Sequence, residues 1–390
     1  MKVFHVVTLF TPTGDFGGPT RVAVNQTRAL RTMGLDVTLL GGSRGFGIGE
    51  TQIDGVEAQL FGSLTLGSKA RFAAVISPRL IFWLVRNLRK ADVVHVHLSR
   101  DLVTLPAAVL ALLFSKSLVV QPHGMIAPTR KLAARLLDQL VTIRVLRKAA
   151  TVFYLSRQEL DAIGRLTSLE RLHMTKLPNG IPSPASALLS AGESGTDVLF
   201  LARLNVRKRP DQFVRMAQRL STVKPGVTFS LVGPDGGMGR EVVNMITNFR
   251  IHHSTKWEGA LAPSETLDRM SLSAIYVLPA VDEPFGMTVL EALSCERPVV
   301  VTDTCALAPF IEDHDCGIVT DGSVEQLSQA VCYLLENPLR ALEMGKRGAQ
   351  AVTKAYGMND VSTILESSYK AIHEPSAAKI PSDIREEESS

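Results

Sequence analysis

The sequence predicts an α/β protein built as two doubly wound domains, and three observations carry that expectation. The order strand, loop, amphipathic helix, strand begins at residue 2 and again at residue 196. A segment dense in Pro, Gly, Ser and Ala, LPNGIPSPASALLSAGESG at 177–195, separates the two starts. Charge divides the same way: residues 1–180 hold 23 Lys and Arg against 11 Asp and Glu, a net +12, and residues 181–390 hold 19 against 27, a net −8. One sheet containing every expected strand would be implausibly wide, so two sheets are expected.

In the first half, the strand KVFHVVTLF (2–10) leads through a loop into the helical pattern TRVAVNQTRALRTMG (20–34) and the strand DVTLLGG (36–42). Strands follow at DVVHVHL (92–98), SLVVQPHG (117–124) and AATVFYLS (149–156). The second half repeats the order with TDVLFLARL (196–204), RPDQFVRMAQRLSTV (209–223) and VTFSLVG (227–233), then AIYVLPA (274–280) and RPVVVTD (297–303). The expected boundaries are a first domain at 1–180, a linker at 181–195 and a second domain at 196–355. A closing helix at 356–374 is expected to return to the first domain, and 375–390, without aromatics or periodicity, to be a disordered tail.

A chain of 390 residues, 45% hydrophobic and 21% charged, can bury a large core, which excludes a disordered or fibrous protein. MKVFHVVTLF enters a β-branched run without the cationic and small-residue flanks of a secretory signal, so a cytoplasmic location is expected. The longest apolar stretch, LPAAVLALLF at 105–114, is shorter than the roughly 20 residues that cross a bilayer. The four cysteines form no CxxC pair and suit a reducing compartment.

Ligands of doubly wound domains sit beyond the carboxyl ends of the strands, so the loops there hold the candidate site. In DEPFGMTVLEA (282–292) the strand before it ends, a loop follows, and a helix starts near Met287. Gly286, Met287 and Thr288 then offer helix N-terminal amides to a phosphate. Glu283 in the loop and Glu291 one turn into the helix can each accept two hydrogen bonds from a vicinal diol. A helix-dipole charge and a surface loop glutamate explain either residue alone but not the pair. His95 and His97 alternate on one strand and share a face; with no third ligand evident, packing is the expected role. Asp313-His314-Asp315, in EDHDCG, falls on a turn without further ligands and is not expected to hold a metal.

EPFGMTVLEALSCERPVVVTD closely resembles the E-x7-E signature of the retaining GT-B-fold glycosyltransferases of family 4, the glycosyl transferases group 1. The resemblance runs through GDFGGPTRVA, HVH, QPHGM, LPNGI and ARLNVRKRP, and so over nearly the whole chain. It implies a GT-B fold, with two Rossmann-like domains facing each other across a donor cleft, acceptor side first. It also implies that Glu283 and Glu291 contact donor sugar and nucleotide ribose, that Arg203 and Lys208 clamp the diphosphate, and that His123 lies beside the donor sugar. Gly17 and Gly18 correspond to the loop that approaches the donor phosphates, and Phe285, Gly286, Met287 and Thr288 complete the donor set. GPDGG (233–237) and WEGAL (257–261) are expected near the nucleotide, and Arg207 and Arg209 to face solvent. Two departures stand out: Glu296 and Arg209 occupy positions where many relatives carry Gly, and TCAL replaces the usual glycine pair after VTD.

The implied function is a metal-independent, retaining hexosyl transfer from a nucleotide sugar to an acceptor hydroxyl, in bacterial-type surface polysaccharide or glycolipid assembly. Two fixed cations would then neutralise the departing diphosphate, the task a metal performs elsewhere. No cofactor, metal or nucleic-acid partner is expected. The alternatives are a non-hydrolysing nucleotide-sugar epimerase of the same fold and a non-catalytic nucleotide-sugar-binding module. The basic stretches at 68–90, with Phe72, Ile76, Phe82 and Trp83 among cations, and at 129–148 suit an anionic membrane surface and a lipid-linked acceptor. The competing reading is an ordinary core-facing stripe with solvated charges.

Overall fold

The computed structural model describes residues 1–12, 17–46, 51–65, 72–182 and 196–373. The expected tail and most of the expected linker lie outside the described residues.

Among the described residues two large sheets form, one from each half of the chain, beside a small antiparallel pairing of Leu64–Thr65 with Val75–Ile76. The first contains β1 (Lys2–Phe10), β2 (Asp36–Ser43), β3 (Gln52–Ile53), β4 (Val56–Gly62), β5 (Val93–Val96), β6 (Ser117–Val120), β7 (Thr151–Tyr154) and β8 (Met174–Lys176), in the order β8-β7-β6-β5-β1-β2-β4-β3. The second contains β9 (Asp197–Leu201), β10 (Thr228–Val232), β11 (Thr255–Trp257), β12 (Ile275–Leu278), β13 (Val299–Thr302) and β14 (Gly317–Thr320), in the order β11-β10-β9-β12-β13-β14. All pairings in the two sheets are parallel except β3 with β4 at an edge. In both, the order reverses beside the first strand of the half, which is where a doubly wound sheet opens a crevice. This is the two-domain, Rossmann-like GT-B architecture.

β1 is buried from Val3 through Phe10 because helices cover both faces, and its sequence is accordingly a nearly unbroken apolar run. His5 and Thr8 are the polar interruptions. The helix Pro210–Val223 starts on Pro at its first turn, where the missing N–H costs nothing, and buries Phe213, Val214, Met216, Ala217 and Leu220 on one stripe.

The chain crosses between the halves twice, and the crossings touch. Ile181 N donates to Tyr356 O at 3.0 Å, and Ile181 bridges Gly357. The last helix, Met358–His373, then packs Val361, Leu365 and Tyr369 against Val3, Leu30, Val93, Val119 and Phe153 of the first domain. Those three side chains recur at i, i+4 and i+8, and burying each stabilises the packed helix by about 1.5–3 kcal/mol.

The basic stretch at 68–90 divides. In the helix Pro78–Asn87, Leu80 and Leu84 are buried, and the Trp83 ring lies tilted against those of Phe4 and Phe61, with centroids 5.3 and 5.9 Å away. Trp83 is thus half-buried against the core of the first domain, and the core-facing reading holds for that side of the helix. Phe82 stays outside with Arg86 over its ring at 3.8 Å.

Candidate active site

A cleft of about 560 Å³ opens between the domains at the carboxyl ends of β1, β6, β9 and β12. Its walls include Gly18, His123, Arg203, Lys208, Glu283, Phe285, Gly286, Met287, Thr288 and Glu291, residues the sequence singled out. Gly233, Pro234 and Leu261, from the two stretches expected near a nucleotide, join them.

Glu283 is 5% exposed and organises its own loop. Its Oε2 accepts from Lys208 Nζ at 2.5 Å, and its Oε1 from Gly286 N at 3.3 Å. Gly286 has φ +74 and precedes the helix Met287–Ser294, so the left-handed turn demanded there suits a residue without Cβ. Thr288 Oγ1 accepts from Tyr276 OH at 2.7 Å, tying the helix start to β12. Lys208 ends a short 3₁₀ turn whose start is capped by Asn205, whose side chain accepts from Lys208 N at 3.1 Å.

Glu291 is 3% exposed. Arg21 Nε of the first domain lies 3.0 Å from its Oε1, while Oε2 is buried without a partner. Burial raises the Glu291 carboxyl above its ordinary value, and the Arg21 charge opposes the rise. The sequence reading missed Arg21, although it lies in the quoted GDFGGPTRVA segment, because the partner glutamate sits in the other domain. Gly17 and Gly18 also differ from expectation: they form no loop but open the helix Gly17–Thr32, placing its first-turn amides at the cleft.

His123 follows β6 with φ +54, and Gly124 with φ +74 continues the turn. The buried Glu159 carboxylate holds this turn, accepting from Gly124 N at 2.5 Å and Leu155 N at 2.6 Å. A Cβ on Gly124 would meet Pro284 of the facing domain at 3.4 Å, an ordinary contact, so it is the left-handed φ that favours glycine there. Burial pushes the His123 ring down to about 3, which keeps it neutral near pH 7.

Other expectations are corrected. Arg207 is exposed but on the cleft wall, and Arg209 is half-buried against Gly322, so Arg209 does not simply face solvent. His95 and His97 have the third imidazole that the sequence did not reveal: His5, on the neighbouring strand. Asp315, in a triplet not expected to hold a metal, pairs with Arg340 and Arg347 at 2.5 and 3.0 Å.

Comparison with known proteins agrees with this geometry. The family model described as glycosyl transferase 4-like domain matches residues 17–180, and the one described as glycosyl transferases group 1 matches 189–351. The chain is 24% identical over 289 residues to a glycogen synthase of Mycobacterium tuberculosis, covering 72% of this chain and 69% of that one. It is 27% identical over 180 residues to a D-inositol 3-phosphate glycosyltransferase of Acidothermus cellulolyticus, and there spans only 40% of the relative's length. Among solved structures, Anabaena HepE in complex with UDP and glucose superposes with a TM-score of 0.74 at 16% identity, covering 95% of this chain and 100% of that one. A sucrose-phosphate synthase from Thermosynechococcus elongatus gives 0.73 at 15% identity, covering 96% and 100%. With its first domain and its second each matched by a glycosyltransferase model, and both arranged as in GT-B neighbours, the chain belongs to a glycosyltransferase family of GT-B fold.

Proposed function

We propose that the protein transfers a hexosyl group from a nucleoside-diphosphate sugar to an acceptor hydroxyl, with retention at the anomeric carbon and without a metal. The observation that supports this most is the convergence of Lys208, Arg203, Glu283 and Glu291 on one interdomain cleft. Lys208 and Arg203 would neutralise the departing diphosphate, and the first-turn amides of the two helices would add fixed dipoles. Glu291, with Oε2 unpartnered, is suited to a ribose hydroxyl, and Glu283 to the sugar. The acceptor proton would pass to the leaving phosphate oxygen, so no enzyme nucleophile is required and the protein supplies position and charge.

UDP sugars are the first donors to test, since HepE was solved with UDP-glucose as well as with UDP and glucose. A thermal-shift panel of UDP-, GDP- and ADP-sugars tests the reading. A specific donor at a hundredfold excess over Kd stabilises the fold by about 2.7 kcal/mol. A retained anomeric configuration in the product, in the presence of EDTA, is the second expected result. Failure of every nucleotide sugar to raise Tm overturns the proposal.

The acceptor side carries a feature that supports a membrane-proximal, lipid-linked acceptor in polysaccharide or glycolipid assembly. Leu132, Leu136 and Leu140 are 79%, 55% and 53% exposed at i, i+4 and i+8, and exposed Arg130, Lys131, Arg135 and Arg144 flank them. Leucines between cations suit an anionic bilayer surface, each engaged cation contributing about 1 kcal/mol. No helix among the described residues is long and apolar enough to cross a membrane.

A further inference from the structure

Behind His123 lies an unbroken line of buried polar rings that donor chemistry alone does not explain. The parallel register sets His5 of β1 beside His95 of β5, and His97 follows on the same face. His123 Nε2 is 2.8 Å from His97 Nδ1, His97 Nε2 is 3.3 Å from His5 Nδ1, and His5 Nε2 is 3.0 Å from Tyr369 OH. The same hydroxyl lies 2.6 Å from His95 Nδ1. Tyr369, fully buried on the last helix, thus connects to the cleft through three imidazoles. His95 Nε2 and His123 Nδ1, the two ends of the line, have no partner with hydrogen-bond geometry.

A neutral imidazole carries one N–H and one lone pair, so the line must run in a single direction. Directed away from the cleft, it would leave a buried N–H stranded on His95 Nε2 and a bare lone pair on His123 Nδ1. Directed toward the cleft, Tyr369 donates to His5, His5 to His97, and His97 to His123, and His95 Nδ1 donates to Tyr369. The two ends then exchange roles, with the N–H on His123 Nδ1 and the lone pair on His95 Nε2, so the direction is decided by what lies beside each end. Asn179 makes the choice. Its Oδ1 is buried without a partner, and its side chain opposes the effect of burial on the His123 ring, as an acceptor beside Nδ1–H does. Burial lowers all four histidines, His5 and His123 to about 3, so the line is one of neutral rings.

We propose that Tyr369 is a positioning residue for the transfer reaction: its hydroxyl sets the direction of a hydrogen-bond relay through His5 and His97 that fixes His123 as the Nδ1–H tautomer, with that N–H buried beside Asn179 of the cleft wall. The relay rests on the reading of His123 as a cleft residue beside the donor sugar. It couples the last helix, which packs on the first domain just past the interdomain crossing, to the orientation of a hydrogen bond in the site. His123, held with φ +54, has its Nε2 fixed by His97, so the relay decides what its Nδ1 offers Asn179.

The test needs no donor and so separates failure of the relay from failure of the transferase reading. Ring-nitrogen NMR on the full chain labelled in histidine assigns His123 by the signals lost in His123→Gln. The native protein is expected to show His123 protonated at Nδ1, and Tyr369→Phe, which keeps the ring, to shift the His97 and His123 nitrogens and lower the Nδ1–H share. An Nε2–H tautomer in the native protein overturns the proposal, even if Tyr369→Phe fails to fold. Unchanged ring-nitrogen shifts in a folded Tyr369→Phe overturn it as well. His5, His95 and His97 also bring three ligand nitrogens within 4.8 Å of one another. A stoichiometric transition metal in the purified protein would overturn the relay too, since a ligated nitrogen can neither donate nor accept.

Discussion

Arg21 Nε sits 3.0 Å from Glu291 Oε1, so the first helix of one domain holds a buried carboxylate of the other. Arg21 Nη1 also donates to Thr266 Oγ1 at 3.2 Å, giving the same side chain two anchors across the cleft. Removing one partner of a buried ion pair costs about 3–5 kcal/mol, because the remaining charge stays desolvated. Because this pair joins two separately cored domains, the cost is expected to fall on closure rather than on folding. Arg21→Ala should therefore enlarge the radius of gyration in solution scattering and leave Tm nearly unchanged. Scattering that superimposes on the native profile would sink the idea.

Lys208 is held by Glu283 at 2.5 Å and faces the cleft, so its charge is in place before a donor arrives. Lys208→Ala is expected to lower turnover by roughly a hundredfold or more, as loss of charge stabilisation in the transition state does, with a smaller effect on donor binding. Steady-state kinetics check this; near-native turnover would remove Lys208 from the diphosphate clamp.

The buried histidines make the fold acid-sensitive. His5 and His123 titrate near 6.5 when unfolded and are lowered to about 3 by burial when folded. Their contribution is fully present above pH 6.5 and is lost as pH falls from there toward 3, on the order of 1 kcal/mol per pH unit for each ring. His95 and His97, lowered well below the ordinary value, act in the same sense. Glu159 and Glu291, raised by burial, act oppositely, favouring the fold as pH falls toward their folded values. Four groups against two predict a Tm that drops between pH 7 and 5. A flat profile across that interval would show the rings to be accessible to protons without unfolding.

Glu296 closes the helix Met287–Ser294 with φ +59. Its N–H bonds to Leu293 O and that of Arg297 to Ala292 O, the double-bonded helix end that ordinarily places Gly at this position. A left-handed L-residue costs roughly 1–2 kcal/mol, partly offset by the freedom a glycine loses on folding. Glu296→Gly is therefore expected to raise Tm by about 1–3 °C. A lower Tm would mean that the Glu296 side chain contributes contacts worth more than the strain.

For the exposed leucine stripe, pelleting with anionic vesicles at low salt should retain the protein. Replacing Leu132, Leu136 and Leu140 by Gln should release it. Replacing Arg86, Arg89 and Lys90 by Gln should weaken binding less, since Leu80 and Leu84 of that helix are buried and Trp83 packs half-buried against the core. Indifference of the native chain to such vesicles would end the membrane proposal.

By itself the sequence determined the two doubly wound domains and most of the cleft wall. Both are local consequences: strand periodicity, helix starts and the residues just past strand ends are encoded within a few positions of one another. Even the departures were legible, for Glu296 and Arg209, where a glycine is usual, both have positive φ. Only the tertiary structure decided the pairing of Arg21 with Glu291, the packing of half-buried Trp83 on Phe4 and Phe61, and the line from Tyr369 through His5 and His97 to His123. Each joins segments far apart in the chain, and no periodicity reports a neighbour supplied by another strand or another domain. His95 and His97 alone read as a packing pair. The parallel register of β1 against β5 added His5, and the return of the last helix added the hydroxyl that meets His5 and His95.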